Sequence, residues 1–265
     1  MSLDVTILGC GSSGGVPRVA QGWGACDPAN PKNRRRRCSI LVEQQAPAGV
    51  TSVLVDTSPD LREQLLAAEV GRLDGVLMTH SHADHTHGID DLRPIVIAMR
   101  RRVEMHMDQA TSNVVTRAFP YIFASPPGSL YPPLLTEKRI RAGEVVTIAG
   151  HGGALEALPI PLEHGEIPAL GFRFGALAYT PDLNAIPDRS VALLENLDVW
   201  IIDGLRHAAH PTHLTIAQAL EWIERLKPAR AIITNMHNDL DYEMLRAELP
   251  PGVEPAFDGM RIHVD

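Results

Sequence analysis

Cysteine is scarce in this chain: Cys10, Cys26 and Cys38 are the full set in 265 residues, an odd number without CxxC spacing. That excludes a disulfide framework and any site needing four thiolates. No run approaches the roughly 20 unbroken apolar residues that span a bilayer. The longest candidates are interrupted by Asp, Arg or Pro, and no membrane association is expected. The first residues lack a basic n-region followed by an apolar h-region, which together with the free cysteines points to a cytoplasmic setting. Positive charge is short as well. Lys and Arg number 24 against 32 Asp and Glu, a formal net charge of -8. The long-range field therefore repels polyanions, and stable nucleic-acid binding is not expected. A bound cation would add local positive charge that this count omits, so a small anionic substrate stays admissible. Repeats, low-complexity tracts and linkers are missing too. Residues 1–265 read as one domain, with the Pro-rich Ser125 to Pro133 as a long surface loop.

What is present is an alternation of short apolar strands and amphipathic helices. Val5 to Gly9, Ser52 to Asp56 and Gly75 to Thr79 read as strands running into turns, while Pro59 to Val70 and Ile89 to Met99 carry helical spacing. From about Ile140 to Tyr179 the texture is β, including Val145 to Ile148, Leu155 to Leu162 and Gly171 to Phe174. Alternation then returns with strands Val199 to Asp203 and Ala231 to Thr234 and helices Thr215 to Leu226 and Tyr242 to Leu249. The pattern predicts an α/β layered fold.

The decisive segment is Thr79-His80-Ser81-His82-Ala83-Asp84-His85, which puts four nitrogen or oxygen ligands within six residues at a predicted strand end. Core packing gives no reason for this density, and crowding imidazoles and a carboxylate without a cation is costly. Alternate residues of an extended segment point the same way, so His80 and His82 can share one metal. The following turn can swing Asp84 and His85 toward a second. Imidazole and carboxylate without thiolate favour zinc, manganese or iron.

With its HxHxDH motif the chain resembles the metallo-β-lactamase superfamily, in which a lone His, a bridging Asp and a final His follow on later strand ends. Candidates stand in order: His164 before Gly165, Asp182 in Thr180-Pro181-Asp182, and His237 in Thr234-Asn235-Met236-His237. The resemblance implies a four-layer αβ/βα sandwich holding two divalent metal ions, with His80, His82 and His164 on one, Asp84, His85 and His237 on the other, and Asp182 bridging. It narrows to the PhnP-type cyclic phosphate phosphodiesterases of the carbon-phosphorus lyase pathway. The features that carry this are Gly9 to Pro17 (GCGSSGGVP), Trp23-Gly24, the Arg-rich approach to Cys38-Ser39 and Phe257-Asp258-Gly259-Met260. Those enzymes hold a structural zinc by a Cys cluster and a His three positions beyond the last catalytic His. Here Cys26 stands almost alone and the corresponding residue is Leu240, so no structural zinc is expected.

The resemblance implies a phosphodiesterase acting on a small sugar-phosphate or nucleotide-like ester through a metal-bound hydroxide, and a homodimer. Two divalent cations, two Asp ligands and a bridging hydroxide leave a centre of about +1 by formal count, which attracts a singly charged phosphodiester. His213, in His210-Pro211-Thr212-His213, matches the family's general acid, and its ordinary pKa suits proton donation to a leaving group. Asp84 and Asp182 join it as catalytic residues through the metals. Asp56 matches the early Asp that orients a metal-bound imidazole, and Asp203, closing its strand, is a candidate to orient His213. The turn Gly9 to Gly15 lacks the lysine of a P-loop and reads as a tight turn. Arg34 to Arg37 read as an ion-paired surface without a catalytic role. Rival readings are a thioester or lactam hydrolase, a nuclease of the transfer-RNA 3′-processing kind and a nonenzymatic metal-binding regulatory module.

Overall fold

A computed structural model describes residues 2–264. Its strands are β1 (Leu3–Gly9), β2 (Ser39–Ala46), β3 (Gly49–Val55), β4 (Gly75–Leu77), β5 (Val103–Met107), β6 (Leu135–Arg139), β7 (Val146–Gly150), β8 (Gly153–His164), β9 (Ile167–Phe174), β10 (Leu177–Thr180), β11 (Val199–Asp203), β12 (Arg230–Thr234), β13 (Val253–Pro255) and β14 (Arg261–Val264). The α-helices are α1 (Leu61–Ala67), α2 (Ala83–Thr86), α3 (Arg93–Met99), α4 (Gln109–Ala118), α5 (Pro120–Phe123), α6 (Asp188–Val191), α7 (Ile216–Leu226) and α8 (Tyr242–Glu248). One seven-stranded sheet runs β14-β1-β2-β3-β4-β5-β6 and the other runs β13-β12-β11-β10-β9-β8-β7. Both are mixed, as hairpins β2-β3 and β8-β9 alternate with parallel pairs β3-β4 and β10-β11.

The two-residue period of a strand explains the layers. In β3, Val53 and Val55 join the core between the sheets, which also holds Ile160, Phe172 and Trp200. Leu54 turns the other way, into a second core with Leu61 and Leu65 of α1, Ile95 and Val96 of α3 and Val115 of α4. On the far side, Ile216, Ala219 and Ile223 of α7 close over the second sheet. Helix, sheet, sheet and helix make the four-layer αβ/βα sandwich. Helix α7 starts where it does because Thr215 and Gln218 form a reciprocal capping box. No helix of the described residues is long and apolar enough to cross a membrane.

Several element ends differ from the sequence reading, for local reasons. The strand expected to reach Thr79 stops at Leu77, because the Thr79 N–H donates to the Asp56 carboxylate at 2.8 Å instead of to a neighbouring strand. The helix expected over Pro59 to Val70 covers only Leu61–Ala67, with Glu69 at φ 55° in the left-handed region. The Ile89 to Met99 helix opens with a 3-10 turn over Ile89–Leu92 before α3. His164 ends β8 instead of following it.

Candidate metal centre and its cleft

The chemistry gathers where strands of both sheets end at one edge. Asp56 follows β3, His80 to His85 follow β4, His164 ends β8, Asp182 follows β10 and Asp203 ends β11. The motif loop is tied down locally. Thr57 N–H donates to the His85 carbonyl at 2.8 Å and Gly88 N–H to the Thr57 carbonyl at 2.9 Å. A Cβ on Gly88 would fall 1.9 Å from the Ser58 carbonyl oxygen, so this approach requires glycine.

Partners on the far side of each ring decide what the near side offers. His164 Nδ1 lies 2.8 Å from the Thr212 carbonyl oxygen, which can only accept, so the hydrogen is on Nδ1 and Nε2 keeps its lone pair. His85 Nδ1 likewise donates to Asp56 Oδ2 at 2.7 Å. Thr79 Oγ1 gives its hydrogen to Asp56 Oδ2 at 2.7 Å and accepts from His80 Nδ1 at 3.0 Å. His80 and His164 thus turn Nε2 lone pairs inward, and His85 turns its Nε2 to the same place. His80 Nε2 is 3.0 Å and His164 Nε2 3.2 Å from His82 Nδ1, and His85 Nε2 is 3.3 Å from Asp182 Oδ1 and 3.5 Å from Asp84 Oδ2. Among the described residues the buried Asp182 Oδ1 has no hydrogen-bond donor.

Three overlapping groups have metal-binding dimensions: His80, His82 and His164; His80, His85 and Asp182; and His164, Asp182 and His213, with donor atoms within 4.8 Å of one another. Lone pairs and carboxylate oxygens packed this closely, in a site where His80, His85, His164 and Asp182 are buried, fit a cation. Burial, with the neighbouring imidazoles, pushes His80 well below its ordinary pKa, which leaves it in the neutral, ligating form. For His85 burial acts the same way, but Asp182, Asp56 and Asp84 outweigh it and raise the group well above its usual value. Burial would raise Asp182, yet His85, His80 and His213 hold it well below the usual carboxylate range. A cation binding at His85 therefore displaces a proton.

Beside these groups stands His213, its Nδ1 3.0 Å from Asp203 Oδ2 and its Nε2 3.9 Å from Asp182 Oδ2. Burial lowers the His213 pKa, but the hydrogen bond and charge of Asp203, with Asp182 and Asp84, raise it overall. Burial pushes Asp203 up to about 6 against the lowering effect of His213. Asn235, just beyond β12 at φ 60°, donates from Nδ2 to Asp203 Oδ1 at 3.2 Å and steadies the pair.

Of the sequence-derived candidates, His80, His82, Asp84, His85, His164, Asp182 and His213 come together, with Asp56 and Asp203 behind them. His237 enters none of the three metal-sized groups among the described residues. Its Nδ1 lies 3.0 Å from Asp239 Oδ2, and among the described residues it forms no such pair with Asp84 or Asp182. It instead lines a cleft of about 190 Å³ with His213, Ser12, Arg18, Arg206 and His210. Burial, Arg18 and Arg206 leave His237 with a lowered pKa despite Asp239. Cys26 belongs to no metal-sized group of side chains among the described residues; its Sγ lies 3.3 Å from the Leu240 carbonyl oxygen. Arg36 pairs with Asp258 at 3.0 Å and Arg37 with Asp60 at 2.7 Å, and both line a separate cavity of about 550 Å³. His87 packs edge-on against Phe119.

Sequence reasoning missed Thr79, Thr212, Arg18 and Arg206. Only Thr79, adjoining the motif, carried a local signal. The glycine-rich turn closes on Arg18, whose guanidinium would lie 2.7 Å from a Cβ at Gly14, and so brings a cation to the cleft.

Comparisons with known proteins agree with this fold. The family model described as a beta-lactamase superfamily domain matches residues 51–236. The crystal structure of a new diphosphatase from the PhnP family superposes with a TM-score of 0.89 at 34% identity, covering 100% of this chain and 98% of that one. An octanoyltransferase of Porphyromonas gingivalis is 31% identical over 264 residues, 98% of this chain and 51% of that protein. A ribonuclease Z of Bradyrhizobium sp. is 29% identical over 172 residues, 62% of this chain and 51% of that protein. The chain thus spans about half the length of the curated relatives it matches.

Proposed function

The chain belongs to the β-lactamase superfamily and is PhnP-like, and we infer that it is a metal-dependent phosphodiesterase acting on a small, anionic, cyclic sugar-phosphate or nucleotide-like ester. The observation that carries this is the convergence of three Nε2 atoms and Asp182 beside the His213–Asp203 pair. We assign two metal positions: one held by His80, His82 and His164, the other by Asp84 and His85, with Asp182 shared. His237 is assigned to the cleft wall, where its ring stands with Arg18 and His210. Zinc, manganese and iron all suit these donors.

Bound divalent cations supply Lewis acidity at a phosphoryl oxygen and a water ionised near neutral pH, its pKa lowered from about 15.7 toward ~7. The chain's own groups do the rest. Asp56, Thr79 and the Thr212 carbonyl hold three imidazoles in the tautomer that presents Nε2. Asp203 accepts from His213 Nδ1 and raises the pKa of the ring, and His213 delivers the proton on Nε2 to the leaving oxygen. Arg18 and Arg206, neither paired with a carboxylate among the described residues, attract an anionic substrate into the cleft.

Phosphorus is favoured over an acyl carbon by the 34% identical PhnP-family diphosphatase. The overall net charge of -8 disfavours a long polyanion such as transfer RNA. The test is a substrate panel with added manganese or zinc: bis-p-nitrophenyl phosphate, a ribose cyclic phosphate, a glutathione thioester and a cephalosporin. Cleavage of both phosphodiesters is expected; turnover of the thioester alone overturns the reading.

A further inference from the structure

Arg35 is 2% exposed and among the largest fully buried side chains, yet no carboxylate lies within 4.0 Å of it among the described residues. A buried cation left without a counter-charge is costly unless its donors are matched. Its Nη1 donates to the His237 carbonyl at 3.2 Å and contacts Cys26 Sγ at 3.8 Å, and its Nη2 donates to the Leu240 carbonyl at 2.7 Å and to Asn33 Oδ1 at 3.3 Å. Compensation by a full charge comes one step away, as the buried Asn33 donates from Nδ2 to Asp241 Oδ2 at 2.6 Å.

The backbone of the same residue grips a different segment. Arg35 N–H donates to the Val16 carbonyl at 2.9 Å and Val16 N–H to the Arg35 carbonyl at 2.8 Å. A Cβ on Gly11 would lie 2.9 Å from the Arg35 Cβ, so the glycine-rich turn lies directly against this residue. Arg35 therefore joins the turn that carries Ser12 and leads into Arg18 to the turn that carries His237. These are two walls of the cleft beside His213.

Building on the phosphodiesterase reading, we propose that Arg35 is a positioning residue: its guanidinium is a fixed internal cation that sets the spacing between the Gly11–Val16 turn and the His237–Leu240 turn, and so the grip of the cleft on substrate. Lysine preserves the charge but not the planar fork that reaches two carbonyls and an amide at once. Neither turn carries His80, His82, His85, His164 or Asp182. The metal-sized groups should therefore survive the loss of the fork.

The experiment compares Arg35→Lys and Asn33→Ser with the parent chain, using bis-p-nitrophenyl phosphate kinetics, metal content and side-chain ¹H–¹⁵N spectra of the histidines. For Arg35→Lys, KM should rise about tenfold with kcat within about threefold, the pattern of lost binding common to ground and transition states. Asn33→Ser should move KM in the same direction by less. Metal content should be unchanged, and the His237 and His210 resonances should shift while that of His151 stays in place. An unaltered KM with unshifted His237 overturns the proposal, as does a fall in kcat accompanied by loss of metal. Failure of both variants to fold also overturns it, because Arg35 is then a requirement of the fold rather than of the cleft. A parent chain inactive on every phosphodiester overturns the phosphodiesterase reading alone, since the spectra still report on the brace.

Discussion

Asp56 Oδ2 and His85 Nδ1 are 2.7 Å apart, and the same carboxylate accepts from the Thr79 backbone at 2.8 Å and hydroxyl at 2.7 Å. One buried side chain thereby sets the ring orientation of His85 directly and that of His80 through Thr79. Asp56→Asn keeps the volume but can turn an N–H toward donors that need an acceptor. Outer partners of this kind are worth roughly 10–100-fold in metal affinity. A competition titration against a chromophoric chelator should show that loss, and unchanged affinity would refute the role.

The Asp56 arrangement also marks where sequence reading succeeds and stops. Ligands packed into His80 to His85 are legible because their density has no structural use, and α7 because the Thr215 and Gln218 cap coincides with its apolar period. Strand β2 escaped notice, since Ser39–Ala46 is apolar on both faces at one end and polar at the other, and its place between β1 and β3 depends on pairing across the chain. The position of His237 is set by the left-handed turn at Asn235 and by Arg35 beneath the following loop, neither of which any spacing rule encodes. Arg18 reaches the cleft only through the fold of a glycine turn.

His213→Ala should separate substrates by leaving group. If His213 protonates the departing oxygen, its loss costs about 10²–10⁴ in turnover for an alkoxide leaving group and much less for p-nitrophenolate, which leaves without help. Steady-state rates on a ribose cyclic phosphate and on bis-p-nitrophenyl phosphate measure the difference. Equal losses on both would show that the proton is supplied elsewhere.

Asp203→Asn should move the alkaline limb of the rate profile. Burial depresses His213, while the Asp203 bond and charge raise it beyond that effect, so the acid keeps its proton above the ordinary histidine range. Activity requiring protonated His213 is lost as pH rises through this elevated value. Removing the carboxylate lowers it, and the limb in kcat/KM should shift to lower pH. A limb that stays in place would assign it to another group.

Acid stability offers a prediction remote from the site. Burial alone would raise the Asp74 carboxyl, but Arg72, the Ser52 N–H and Arg101 together hold its pKa below the usual value. The carboxylate accepts from Arg72 at 2.8 Å, Ser52 N at 3.1 Å and Arg101 at 3.0 Å, and so ties the start of β4 to β3. A depressed folded-state pKa means stabilisation that is fully present above the unfolded value of about 3.9 and is lost as pH falls through the folded one. Both arginines are partly exposed, so screening limits the ion pairs, and Asp74→Asn should cost roughly 1–2 kcal/mol at pH 7. Urea denaturation should find the two chains converging as pH falls through the depressed folded-state pKa, where the parent carboxyl is itself protonated. A difference that persists undiminished into acid would place the role of Asp74 in packing instead of charge.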